Sequence, residues 1–281
     1  MGMASKLWMH AKMLRWDRVP MPQGGPPPEL SFSQVWRPDP AHLQSFLDIC
    51  PGWRHPQVLP PTYPQVALAQ LHSKILADRT FPFNPMGIVH VSNHIQVHRP
   101  MVMTDSQDLS VEVSLRNWQP HRRGRLFDIY TEISEPHGVV WESVATALVM
   151  EDKQPSGSRA KALGGVPEMG EDRIHLSEDL GRRYARVAGD YNPIHQRAWM
   201  AKPFGFKRAI IHGMWTLGWA VHEPASRQEP GPMQCTGHFK RPVSLPGDIW
   251  RKISARDQGG FDVEIYNVGS PKISLELSLS V

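Results

Sequence analysis

A chain of 281 residues, 40% of them apolar and 10 of them tryptophan, has material for one large domain or two smaller ones, and disorder is excluded as its general state. Its two cysteines, Cys50 and Cys235, are too few for a disulfide framework or a thiolate metal site, and no run approaches the roughly 20 apolar residues of a membrane span. The formal charge of +4 is mild and the basic residues are scattered, which argues against nucleic acid and leaves room for a phosphate-bearing ligand.

Residues 1–16 contain no acid, and they lack the continuous apolar stretch of a secretory signal. Together with the cysteine usage this predicts a cytoplasmic protein with no membrane partner, a transit peptide being the alternative. Residues 1–29 read as an arm, because "PMPQGGPPPE" at 20–29 suits neither helix nor sheet. A first unit is expected over 30–150. It opens with a helix in "DPAHLQSFLDIC", followed by a longer apolar helix in "YPQVALAQLHSKILAD". Strand patterns follow at 87–97, 109–116, 126–133 and 139–150. Residues 151–173 are rich in Gly, Pro, Ser and charge and are expected to be a linker.

The second unit, 174–281, repeats this order. Leu180, Tyr184, Val187 and Ala188 lie at helical spacing after Ser177, a candidate N-cap, and Gly189 is placed to end the helix. A polar loop, an apolar helix from about 211 to 221, and strands at 233–240, 248–255, 261–267 and 273–280 complete it. Arg99-Pro100 before Asp105 is echoed by Arg241-Pro242 before Asp248. A long helix followed by antiparallel strands, twice over, predicts an α+β fold of two units with their sheets side by side. His90, His94 and His98 fall at every fourth position. On a strand that spacing spreads them over about 13 Å, too far for one ion, so no metal site is expected there.

The loop of the second unit carries the densest chemistry. Asp190 and His195 stand five residues apart around Asn192-Pro193, and the proline stiffens the loop that separates them. A carboxylate that accepts hydrogen bonds and an imidazole that accepts or donates can both reach one water, which is general acid–base chemistry. Gly213, at the start of an apolar helix, offers an N–H without an intrahelical partner at the positive end of the helix dipole, a place for an oxygen gaining negative charge. Turn formation alone would also explain Asp190, Asn192 and Pro193.

The stretch "YARVAGDYNPIHQRAWMAKPFGFKRAIIHGM" closely resembles the hydratase motif of the MaoC-like, (R)-specific enoyl-CoA hydratase family. The matching positions are Gly189, Asp190, Asn192, Pro193, His195, Gly205, Phe206, Ile210, His212, Gly213 and Met214. The resemblance extends more loosely over about 30–281. It implies a double hot-dog fold, each unit a long helix wrapped by a curved antiparallel sheet. It also implies that Asp190 and His195 are the catalytic pair, that the Gly213 amide receives the thioester oxygen, and that Asn192 and His212 support them. A serine found in some relatives is replaced at about Val221. The first unit has no such motif; "CPGWRHP" stands in its place, which implies one site per chain with the first unit as an apolar wall for the acyl chain. Lys207 and Arg208, with Lys240 and Arg241, either meet the phosphates of the substrate or form a solvated face.

The implied reaction is reversible hydration of a trans-2-enoyl thioester to a (3R)-3-hydroxyacyl thioester. Coenzyme A or the phosphopantetheine of a carrier protein is part of the substrate, and no metal or redox cofactor is required. A homodimer is expected. The alternatives are an acyl-thioester hydrolase and a non-catalytic subunit that binds acyl thioesters.

Overall fold

The computed structural model describes residues 28–85, 88–103, 108–150 and 172–281. The arm as far as residue 27, the expected linker as far as 171, Gly87 and Asp105 lie outside the described residues.

In the first half Asp39 caps helix α1 (Pro40–Ile49), its carboxylate accepting from the Ala41 N–H at 2.9 Å. Pro40 occupies the first helical position, where its missing N–H costs nothing. The single helix expected over 63–78 is two, α2 (Tyr63–Ala67) and α3 (Ala69–Ala77), with the backbone leaving the helical region at Leu68. The turn there lets Tyr63, Val66, Leu68, Leu71 and Ile75 all reach the core, and burial outweighs the propensity for one continuous helix. Around these helices run β1 (Ser31–Trp36), β2 (Ile88–Val97), β3 (Leu109–His121), β4 (Gly124–Glu135) and β5 (Gly138–Met150). Strand β1, absent from the sequence expectation, pairs antiparallel with β3 at the sheet edge.

The second half begins with β6 (Arg173–Leu176), so the last residue assigned to the linker is already strand, paired with β10. Helix α4 (Leu180–Ala188) starts after Asp179 rather than after Ser177, whose hydroxyl instead donates to the Asp179 carboxylate at 2.6 Å. Short segments α5 (Ala198–Ala201) and β7 (Ala209–Ile210) lead into helix α6 (Gly213–Ala225). Then come β8 (Met233–Phe239), β9 (Ser244–Leu245), β10 (Gly247–Ala255), β11 (Phe261–Asn267) and β12 (Ile273–Ser280).

The strands form one ten-stranded sheet in the order β1-β3-β4-β5-β2-β8-β12-β11-β10-β6. All its pairings are antiparallel. This is the α+β double hot-dog. The halves meet where β2 pairs with β8, Ile95 opposite Cys235. Burial alternates along β4, where Phe127, Ile129, Thr131 and Ile133 turn inward, as one face packs on the helices.

Helix α6 is buried along nearly its whole length and is tied to the first half by polar bonds. The Trp215 indole N–H donates to the Ile49 carbonyl at 2.7 Å, and His222 Nε2 lies 2.7 Å from the Thr62 hydroxyl. His42 Nε2 bonds to the Val187 carbonyl at 2.9 Å, fixing α1 beside the end of α4. These contacts place the polar loop after α4 against the first half.

Candidate active site

Helix α4 ends at Gly189 in the left-handed conformation, as its sequence position predicted, and the chain turns at once into the loop. Asp190 Oδ1 accepts from the Asn192 N–H at 3.1 Å, and Asn192 Oδ1 accepts from the Ile194 N–H at 3.4 Å. The two side chains thus fold the backbone around themselves, and Pro193 opens a single 3₁₀ turn, Pro193–His195. The turn-forming reading of Asn192 is therefore correct, and it serves to place His195. Helix α4 comes so close to this turn that a Cβ on Gly181 would run into the His195 carbonyl oxygen. Gly181 was missed by the sequence reading, since a glycine inside a helix carries no signal of what approaches it.

His195 is buried, with only 10% of its side chain exposed, and His195 Nδ1–H donates to the Ile210 carbonyl at 2.8 Å. The pairing of β7 with β9 holds that carbonyl in place. A neutral ring with its proton on Nδ1 presents a lone pair at Nε2. Burial lowers the pKa of His195, the Asp190 charge and the Ile210 carbonyl opposing that shift, so the neutral form is favoured. Its Nε2 lies 4.0 Å from Asp190 Oδ2, and Asp190 is half exposed. Two acceptors at that separation do not bond to each other; they can share one O–H-bearing molecule between them.

His212 packs beneath this pair. Its ring stacks on His195 with centroids 3.7 Å apart and 25° between planes, and Tyr184 of α4 lies on it at 4.9 Å. Its Nε2–H donates to the backbone carbonyl of Asp190 at 3.0 Å, tethering the acid to the start of α6. Burial, then the adjacent His195 ring, push the pKa of His212 well below the ordinary imidazole range, so it stays neutral. One side-chain oxygen or nitrogen from each of Asp190, His195 and His212 lies within 4.8 Å of the others.

Gly213 is the first residue of α6, where a backbone N–H has no intrahelical partner. A Cβ there would stand 3.0 Å from the Phe239 ring, so the glycine admits that ring over the helix start. Phe239, at the end of β8, is a second residue the sequence reading did not single out.

Of the remaining expected residues, Lys207 and Arg208 are exposed on the segment before β7, with the Arg208 guanidinium donating to the Pro246 carbonyl at 2.9 Å. Lys240 pairs with Glu276 at 2.9 Å. Val221 is fully buried within the core.

Residues 160–229 match the MaoC like domain family. Over 232 residues the chain is 32% identical to 3-hydroxyacyl-thioester dehydratase X of Mycobacterium tuberculosis, covering 82% of this chain and 81% of that one. The chain belongs to the MaoC-like dehydratase family. This MaoC-like chain also superposes on the crystal structure of HtdX of M. tuberculosis with a TM-score of 0.77 and 28% identity, covering 90% of this chain and 99% of that one. It is 27% identical over 159 residues to the peroxisomal enoyl-CoA hydratase 2 of Arabidopsis thaliana, half of each chain.

Proposed function

We propose that this MaoC-like protein is a hydro-lyase for acyl thioesters, which adds water to a trans-2-enoyl thioester to give a (3R)-3-hydroxyacyl thioester and catalyses the reverse dehydration. The observation that carries the reading is the 4.0 Å separation of Asp190 Oδ2 and His195 Nε2, two acceptors on one stiff loop. A water between them donates one O–H to each and is left with a lone pair aimed outward. Asp190 takes a proton as the oxygen attacks C3. The electrons of the double bond move to the thioester oxygen, which the Gly213 N–H at the positive end of α6 stabilises. A proton returned by the Asp190/His195 pair then reaches C2, so one water is added and the pair ends as it began.

Asn192 and His212 hold the geometry and do not touch the substrate. The hydration as written uses no metal or redox cofactor, since water is the nucleophile and the Asp190/His195 pair moves the protons, while His212 Nε2–H, bonded to the Asp190 carbonyl, acts as a clamp. Lys207 and Arg208, exposed on the segment after Gly205, are suited to the phosphates of coenzyme A or a carrier's phosphopantetheine. The first half, without an acid–histidine loop, leaves one site per chain. We further read the protein as a cytoplasmic homodimer. Both cysteines are free thiols, and among the described residues no helix is long and apolar enough to cross a membrane.

The test is incubation of the purified protein with crotonyl-CoA, following loss of the enoyl absorbance alongside a free-thiol assay. Hydration without thiol release is the expected result. Thiol release without hydration would make the protein a hydrolase, and neither reaction, with acyl-CoA still bound, would make it a binding subunit.

A further inference from the structure

Strand β2, which joins the two halves, contains a bulge: its register against β5 shifts between His90 and Ser92. In a regular strand His90 would share the outer face of His94, whose Nδ1 lies 2.8 Å from the Thr236 hydroxyl. The extra residue instead sets His90 opposite Ala147, on the buried face that carries Asn93 and Ala145. There the His90 ring packs on Phe239 with centroids 4.7 Å apart, and Phe239 is the ring that lies against Gly213. His90 is thus one aromatic ring away from the proposed oxyanion position, and the charge of Asp190 acts on it.

The face it joins is polar where a hot-dog interior is expected to be apolar. His72 Nε2 lies 2.8 Å from the Thr131 hydroxyl, and Gln65 Nε2–H donates to His72 Nδ1 at 3.4 Å. Ser143, opposite Thr131, donates to Asn93 Oδ1 at 3.4 Å. Gln65 and Asn93 are 4% and 0% exposed. Yet His90 Nε2, Gln65 Oε1 and Asn93 Nδ2 are buried without a hydrogen-bond partner. Natural cores leave few polar atoms unpaired, and two on the inner face of β2 with a third on α2, joined to that face through His72 and Thr131, ask for a polar occupant.

We infer that this face is a specificity track for an oxygenated acyl chain, in which His90, Asn93 and Gln65 bind hydroxyl groups carried beyond C3. The inference rests on the reading that the thioester lies at Asp190, His195 and Gly213. Asp190 marks the solvent side of the site, while His90 lies inward of it, so the acyl chain meets the track and the carrier does not. The ring has a backbone hydrogen bond at Ser92 and its Nε2 has no partner, so we assign that bond to Nδ1–H, which leaves Nε2 as an acceptor. Gln65 Oε1 is a second acceptor and Asn93 Nδ2 a donor. A hydroxyl donates one hydrogen bond and accepts others, so one hydroxyl satisfies Asn93 together with one of the two acceptors, and a second hydroxyl satisfies the other. A carbonyl would satisfy Asn93 alone, a carboxylate would be repelled by the two acceptors, and an alkyl chain would satisfy none.

The experiment compares kcat/KM for trans-2-octenoyl-CoA with that of derivatives bearing one hydroxyl at successive carbons beyond C3. At least one hydroxylated substrate is expected to exceed the parent by about tenfold or more, the scale set by one well-placed hydrogen bond. His90→Phe, which keeps a ring and removes the acceptor, is expected to bring that ratio towards one, and His90→Gln to restore part of it. A wild-type ratio near or below one for every derivative overturns the inference without need of a variant, as does a ratio that survives His90→Phe. The same ratios are read in equilibrium binding of saturated octanoyl-CoAs, where no hydration occurs. Preference in binding without turnover would remove the hydratase reading and keep the track; turnover without preference would do the reverse.

Discussion

Burial decides what His195 can do. Because its pKa is depressed below the ordinary 6.5, the ring stays neutral, and its Nε2 stays an acceptor, into mildly acid solution. Activity that needs this acceptor is therefore expected to persist below about pH 6.5 and to fall only as His195 takes up a proton. A pH profile of kcat/KM checks this, and an acid limb that begins above about pH 6.5 would contradict it. Gly213 makes a second residue-scale case. Gly213→Ala keeps the N–H but drives a methyl group against Phe239, 3.0 Å away, and the displaced ring crowds the oxyanion position. Hydration is expected to fall by about 100-fold, the scale of one oxyanion contact, because the ring obstructs the retained N–H. The double variant Gly213→Ala/Phe239→Ala should recover much of it. No recovery would mean that the ring is not the obstacle.

At the scale of elements, the loop between α4 and α6 was the part most legible in sequence. Asp190, Asn192, Pro193 and His195 build their turn from local bonds, and those bonds depend on residue type and short spacing alone. What remained hidden depends on partners distant in the chain. The break at Leu68 answers to a core assembled from both halves, and β1 is recognisable only by its pairing with β3. The bulge that turns His90 inward is set by β5, some fifty residues on, and the regular spacing of His90, His94 and His98, which put all three on one face of a strand, gave no sign of it. Gly181 belongs to the same class, its meaning supplied by the His195 carbonyl. Gly181→Ala is expected to push α4 off the catalytic turn, destabilising the protein by about 1–3 kcal/mol while also slowing hydration. A melting temperature and a rate both equal to wild type would show that α4 and the loop are not in contact.

Over the whole molecule, neutral histidines are built into the joint between the halves and into the first-half interior. Burial pushes His72, His90 and His222 each down to about 4, from an ordinary 6.5. The unfolded chain binds these protons more readily, so their contribution is complete above about pH 6.5 and is lost as pH falls from there towards about 4. Thermal unfolding across that window should show a melting temperature that drops with acidity, and a flat profile would contradict it. The whole fold serves one arrangement: ten strands and a buried helix hold two acceptors 4.0 Å apart so that both share one water. The measurement that tests this most directly is the hydration rate of Asp190→Asn, His195→Gln and the double variant. Each single change is expected to lose about 100- to 10,000-fold, and the double variant to be barely worse than the worse single, since groups that act on one water fail together. Losses that multiply, or near-normal turnover in either single variant, would contradict the shared-water site.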